Sequence, residues 1–147
     1  MLGAYREFVV DTSVVVKFFL EEPDSDKADA LLEDHRLGNV RLIAPDFLLI
    51  EFANALWRQT SRGDITETEA EDALTAFLDL APSLEIVPAR GLLREILRAC
   101  RRYNHAAYEV AFLALAERLR IPFVTADERF YEKVHRHSPA AVFLRDL

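Results

Sequence analysis

The sequence predicts an α/β domain whose central sheet is mostly parallel, with about four to five short strands flanked by helices. Three observations lead there. Short β-branched apolar runs alternate with longer helical patterns, the rhythm of strands joined by helical crossovers rather than hairpins. The runs are apolar throughout instead of alternating, as in strands covered on both faces. The chain of 147 residues, with 51% apolar and 29% charged side chains, suffices for one sizeable core, so a single domain over 1–147 is expected.

The elements follow in order. Residues 6–10 form a strand ending at Asp11, and Thr12 or Ser13 offers a hydroxyl to cap a helix over 13–20. "EEPDSDKADALLEDH" opens a helix with acids in its first turn, where the helix dipole favours them. "RLIAP" is a second strand; Asp46 then caps a long helix that ends near Arg62 at Gly63. "DITETEAEDALTAFLDL" reads as an amphipathic helix stopped by Pro82, "SLEIVP" as a strand, and 90–103 as a helix. Residues 106–120 form a helix apolar on nearly every side, leading into the strand "IPFVT". A short helix from 128 and a strand around "AAVFL" complete the chain.

Composition narrows the function. The apolar runs fall short of the roughly 18 residues of a membrane span, and "MLGAYREFVVD" lacks the basic and apolar regions of a signal peptide. A single cysteine, Cys100, allows no internal disulfide and suits a reducing cytoplasm. A net charge of −7 disfavours long-range attraction to nucleic acid. A local basic stripe or bound divalent cations reverse the field at one face.

Four acids stand where the pattern reads as interior. Asp11 lies between "EFVV" and "TSVVVKFF"; Asp127 follows "IPFVTA"; Glu51 and Glu109 sit inside "DFLLIEFANAL" and "AAYEVAFLALA". Each alone reads equally well as a helix cap or a surface position. Around Glu109, however, Val110 to Ala116 leave almost no polar face, and a buried carboxylate needs a partner. In a doubly wound sheet, residues just past strand ends meet at the carboxyl edge, so Asp11 and Asp127 belong there and Glu51 and Glu109 are inferred to project toward it. Acids gathered at one place repel one another. A hard divalent cation resolves this, and a site without Cys or His ligands suits Mg²⁺ or Mn²⁺ better than zinc. Such sites serve phosphoryl transfer or phosphodiester hydrolysis.

"VVDTSVVVKFFLEEP", "APDFLLIEFANALWR" and "YEVAFLALAERLRIPFVTADERF", in that order and spanning nearly the whole chain, resemble the PIN-domain family. Within it they are similar to the small VapC-like ribonuclease toxins of prokaryotic toxin–antitoxin pairs. The resemblance implies an acidic pocket binding Mg²⁺ or Mn²⁺ and hydrolysis of phosphodiester bonds in single-stranded or loop RNA. It also implies products with a 5′-phosphate and a 3′-hydroxyl, a small antitoxin partner that often binds DNA, and a homodimer. Asp11, Glu51, Glu109 and Asp127 then take the metal-holding, catalytic positions, and Ser13 and Thr125 the polar positions lining the pocket. Glu109 stands where the family motif reads Asp. Its extra C–C bond extends its reach by about 1.5 Å; the helix or ion moves to absorb this, or metal binding weakens.

Arg94, Arg98, Arg101 and Arg102 fall at helical spacing opposite Leu93, Ile96, Leu97 and Cys100, and are candidates for RNA phosphates as well as for a solvated face. Ile50, Ala53, Leu56 and Trp57 form an apolar stripe, with Trp57 expected in the core or at a dimer contact. Two other functions compete. A PIN fold whose Glu109 has ended catalysis would remain a binding module for RNA or a protein. A phosphohydrolase of the haloacid dehalogenase kind needs an acid two residues after the first, where this chain has Ser13.

Overall fold

The computed structural model describes residues 6–147; residues 1–5, part of the stretch read for a signal peptide, lie outside them. Five strands, β1 (Arg6–Val10), β2 (Val40–Pro45), β3 (Glu85–Val87), β4 (Phe123–Thr125) and β5 (Ala141–Phe143), form one sheet in the order β3-β2-β1-β4-β5. Every pairing is parallel, with Phe8 opposite Leu42, Val10 opposite Val124 and Val124 opposite Val142. The predicted fold class is thus observed. The chain steps from β1 outward to β2 and β3, then crosses to β4 and β5 on the other side of β1. The switch point lies between β1 and β4, where an open sheet leaves a crevice at its carboxyl edge.

Seven helices supply the crossovers: α1 (Thr12–Lys17), α2 (Ser25–Arg36), α3 (Phe47–Ser61), α4 (Glu67–Leu80), α5 (Leu93–Tyr103), α6 (Ala107–Leu119) and α7 (Glu128–Val134). Helix α6 lies on β1, β2 and β4 with α5 against it, while α1 packs on α3 and β4 and α2 on β2. The apolar circumference read in α6 has that cause: Val110 to Ala116 are all buried, between the sheet and α5. Among the described residues, no helix is long and apolar enough to cross a membrane.

The ends of α3 and α4 follow local rules. Gly63 adopts φ +78° and its N–H bonds Thr60 O while Asp64 N–H bonds Gln59 O, closing α3 with a left-handed glycine. Thr66 and Glu69 exchange side-chain and backbone bonds at 3.1 Å each, a capping box that starts α4.

Three local expectations are corrected. The face that α3 buries is Leu48, Phe52 and Leu56, whereas Ile50 and Trp57 point outward, Trp57 being 64% exposed. Two apolar stripes run along this helix, and Phe52 wins because it stacks on Phe77 of α4 at 4.1 Å. On α5, Leu93 and Leu97 likewise face out, and Leu92, Ile96, Ala99 and Tyr103 are buried. Asp46 does not cap α3; its Oδ1 accepts from Ala89 N–H at 3.1 Å, tying the end of β2 to the segment after β3.

Candidate active site

Strand β1 delivers Asp11 to the crevice almost fully buried, at 5% exposure. Its backbone N–H bonds Val124 O at 2.9 Å, so pairing with β4 fixes its position. Carboxylate Oδ2 accepts from Ser13 Oγ at 2.6 Å and from Thr125 Oγ1 at 2.9 Å. Each hydroxyl in turn accepts a backbone N–H, Ser13 from Ala126 at 2.9 Å and Thr125 from Asp127 at 3.1 Å. Both hydroxyl protons are committed to Asp11, so the 3.4 Å approach of the two oxygens is proximity rather than a bond. This ring knits the carboxyl ends of β1 and β4 together. It leaves Oδ1 of Asp11 without a hydrogen bond among the described residues.

Burial pushes the Asp11 carboxyl up to about 6 from 3.8. The Ser13 and Thr125 bonds pull it down, and the nearby charges of Glu109 and Asp127 push it further up. Glu51, in the second turn of α3, is half-buried and also raised, first by burial; Arg58 lowers it and Glu109 raises it. Asp127 serves two roles. Its Oδ1 caps α7 by accepting Phe130 N–H at 3.0 Å, and its side chain lines the same cavity as the other acids.

Glu109, in the first turn of α6, has its Oε2 2.6 Å from His105 Nε2. Lys133 of α7 places Nζ 3.1 Å from His105 Nδ1 and donates to Asn104 O at 2.6 Å. An ammonium has only protons to give, so Nδ1 accepts and the ring proton sits on Nε2, donated to Glu109.

The four predicted acids therefore meet in one cavity of about 310 Å³ at the switch point. Its wall also holds Thr12, Lys17, Glu22, Arg58 and Gln59, which the sequence reading missed. Signals for two of them were present. Lys17 is the only charged residue in "TSVVVKFF", one turn after Ser13, and Arg58 follows Glu51 by two turns on α3. Lys17 pairs with Glu22 at 3.2 Å and Gln59 bonds the other oxygen of Glu22 at 2.8 Å. Thr12, read as a possible cap, has a buried hydroxyl with no partner among the described residues.

The set of facing donors is oxygen-only and anionic. Among the described residues, no three Asp, Glu, His or Cys side chains stand close enough to enclose an ion. Glu109 and Asp127 each have one oxygen occupied elsewhere. The oxygen donor set itself, with Oδ1 of Asp11 left without a hydrogen bond among the described residues, is of the kind a hard cation such as Mg²⁺ takes while keeping several waters. The charge balance agrees, because the nearby charges of Glu109 and Asp127 both push the Asp11 carboxyl up.

The arginines of α5 are placed differently. Arg94, Arg98, Arg101 and Arg102 are exposed, and none lines the acidic cavity. Arg102 donates to His137 O at 3.0 Å, beside a hollow formed by Ile121, Pro122 and Ala140 at the amino ends of β4 and β5. Helix α5 packs against α6 and presents these arginines to solvent.

A family model described as the PIN domain matches residues 8–135. Ribonuclease VapC3 of Pyrobaculum aerophilum is 25% identical over 127 residues, covering 86% of this chain and 94% of that protein. The crystal structure of PAE2754 from the same organism superposes with a TM-score of 0.69 at 19% identity, over 95% of this chain and 85% of that one. VapC20 of Mycobacterium tuberculosis, described as a sarcin-ricin loop cleaving toxin, gives 0.62 at 14% identity, over 86% and 95%. VapBC2 from Rickettsia felis, bound to a promoter DNA fragment, gives 0.59 at 14%, over 93% and 96%.

Proposed function

This chain belongs to the PIN-domain family, and on that premise we propose that it is a ribonuclease toxin that hydrolyses RNA with Mg²⁺ or Mn²⁺ and is restrained by an antitoxin. One observation carries the reading. A buried carboxylate, oriented by two hydroxyls and pushed up to about 6, shares a cavity with three more acids. A site built for stability would have paired or removed that charge.

A divalent ion bound there would lower the pKa of an attacking water and offset charge developing on the phosphate and the leaving oxygen. Asp11, Glu51, Glu109 and Asp127 are the residues that would hold it, some through water. The protein's own contribution is orientation. Ser13 and Thr125 fix the Asp11 carboxylate so that one oxygen stays available, and their backbone donors keep β1 and β4 in register around it. Lys17 and Arg58 on the cavity wall supply the cations toward which RNA phosphates would be drawn. The net charge of −7 makes such local cations, rather than the overall field, the source of attraction.

VapBC2 and FitAB, whose structures this chain resembles in fold, were solved bound to DNA fragments. An antitoxin partner and a homodimer are part of the proposal. The outward apolar side chains Ile50 and Trp57 of α3, Leu78 of α4 and Leu93 and Leu97 of α5 are surface that such partners would cover. The dehalogenase alternative is set aside: where it needs a second acid, Ser13 donates a hydrogen bond to the first.

The chemistry of the product ends tests the proposal. Water attack yields a 5′-phosphate and a 3′-hydroxyl, which a ligase joins directly. A 2′,3′-cyclic phosphate end would show attack by the ribose hydroxyl instead, and would contradict the proposed use of the acids.

A further inference from the structure

A polar relay outside the acid set touches it at one point. Helix α5 ends at Asn104, whose φ of 49° is the left-handed turn that stops the helix and lets His105 N–H bond back to Cys100 O. His105 is thereby held just ahead of α6, four residues before Glu109, with its ring 4.8 Å from that of Phe130. Lys133, one turn further along α7, grips both ends of the turn, donating to Asn104 O and to His105 Nδ1. The remaining ring N–H points at Glu109 Oε2 over 2.6 Å.

We propose that His105, set by Lys133, is a positioning residue that fixes the Glu109 carboxylate at the rim of the acidic cavity. The inference rests on the metal-dependent reading above. A Glu in the first turn of a helix has three side-chain torsions to arrest, and the relay arrests them by occupying one oxygen and leaving the other for the cavity. An Asp at this position is shorter by about 1.5 Å and would fall out of reach of His105, so the relay is matched to the longer side chain. Outer hydrogen bonds of this kind, on residues that hold an ion, typically change metal affinity by about 10- to 100-fold when removed.

Calorimetric titration of Mn²⁺ into the full-length protein tests this without reference to activity. His105→Phe keeps an aromatic ring against Phe130 but has no proton to give, and it should weaken Mn²⁺ binding about tenfold or more. His105→Gln keeps an N–H at similar reach and should bind within about threefold of the unaltered chain. Lys133→Met, at an exposed site, should weaken binding in the same direction. In a Glu109→Asp background, His105→Phe should change nothing further. Unchanged affinity in His105→Phe, equal losses in the Phe and Gln variants, or a loss that persists beside Asp would each overturn the proposal. If the unaltered chain takes up no Mn²⁺, the metal reading fails first and this inference falls with it.

Discussion

Asp11→Asn should stabilise the ion-free protein by about 3 kcal/mol at neutral pH, while removing the carboxylate on which the proposed chemistry turns. The folded protein raises this carboxyl from 3.8 to about 6, chiefly by burying it, so the native state holds the Asp11 proton more tightly than the unfolded chain does. The associated stability is complete below about pH 3.8 and is lost as pH rises through about 6. Above that, the ionised group costs about 3 kcal/mol, at 1.36 kcal/mol for each unit of pKa. Asparagine avoids the cost and keeps an oxygen for the Ser13 and Thr125 hydroxyls. The melting temperature of Asp11→Asn in EDTA should therefore exceed that of the unaltered protein by about 6–12 °C at pH 7.5. The difference should shrink toward zero by pH 4. A variant no more stable at pH 7.5, or a gain independent of pH, would contradict the assignment of Asp11 as an uncompensated buried charge. Saturating Mn²⁺ should narrow the gap, because an ion that binds only the native state adds stability by mass action.

The second large effect lies behind the site. Phe52 is fully buried, stacks on Phe77 at 4.1 Å and meets the edge of Phe19 at 5.7 Å. It is the anchor that turns α3 so that its neighbour Glu51 and, two turns on, Arg58 reach the cavity. Phe52→Ala deletes a ring between two others that cannot collapse fully, and should cost about 3–5 kcal/mol. Phe52→Leu should cost less, because Leu refills much of the space. Chemical denaturation would measure both. A loss below about 1 kcal/mol for the alanine variant would mean that α3 is held by something other than this aromatic cluster.

Much of this architecture was legible in the sequence, for identifiable reasons. Strands buried on both faces announce themselves as unbroken apolar runs, and "EFVV" and "PFVT" place Asp11 and Asp127 at strand ends before any pairing is known. The apolar circumference of residues 110–116 signalled burial, which the packing of α6 between sheet and α5 explains. What local patterns miss is orientation and long-range pairing. Helix α3 offers two apolar stripes, and only the location of Phe77 decides that Phe52 rather than Trp57 turns inward. Asp46 reads as a cap because nothing nearby in sequence reveals Ala89 N–H across β2 and β3. The same holds for the α5 arginines: their spacing is visible, but that their exposed face does not line the acidic cavity is not. Lys17 and Arg58 look like ordinary surface charges until the fold closes a cavity around them.

On the proposed function, the acids at the β1–β4 crevice cleave RNA with a divalent ion. Incubating antitoxin-free protein with a mixed single-stranded RNA pool, in Mg²⁺, Mn²⁺ or EDTA and beside Asp11→Asn, tests it most directly. Cleavage should appear with either ion, vanish in EDTA and fall roughly 10³-fold or more in the variant, the scale of losing a directly acting group. Cleavage that persists in EDTA or in Asp11→Asn would move the chemistry away from this site, and no cleavage by the folded protein with any ion would contradict the nuclease itself.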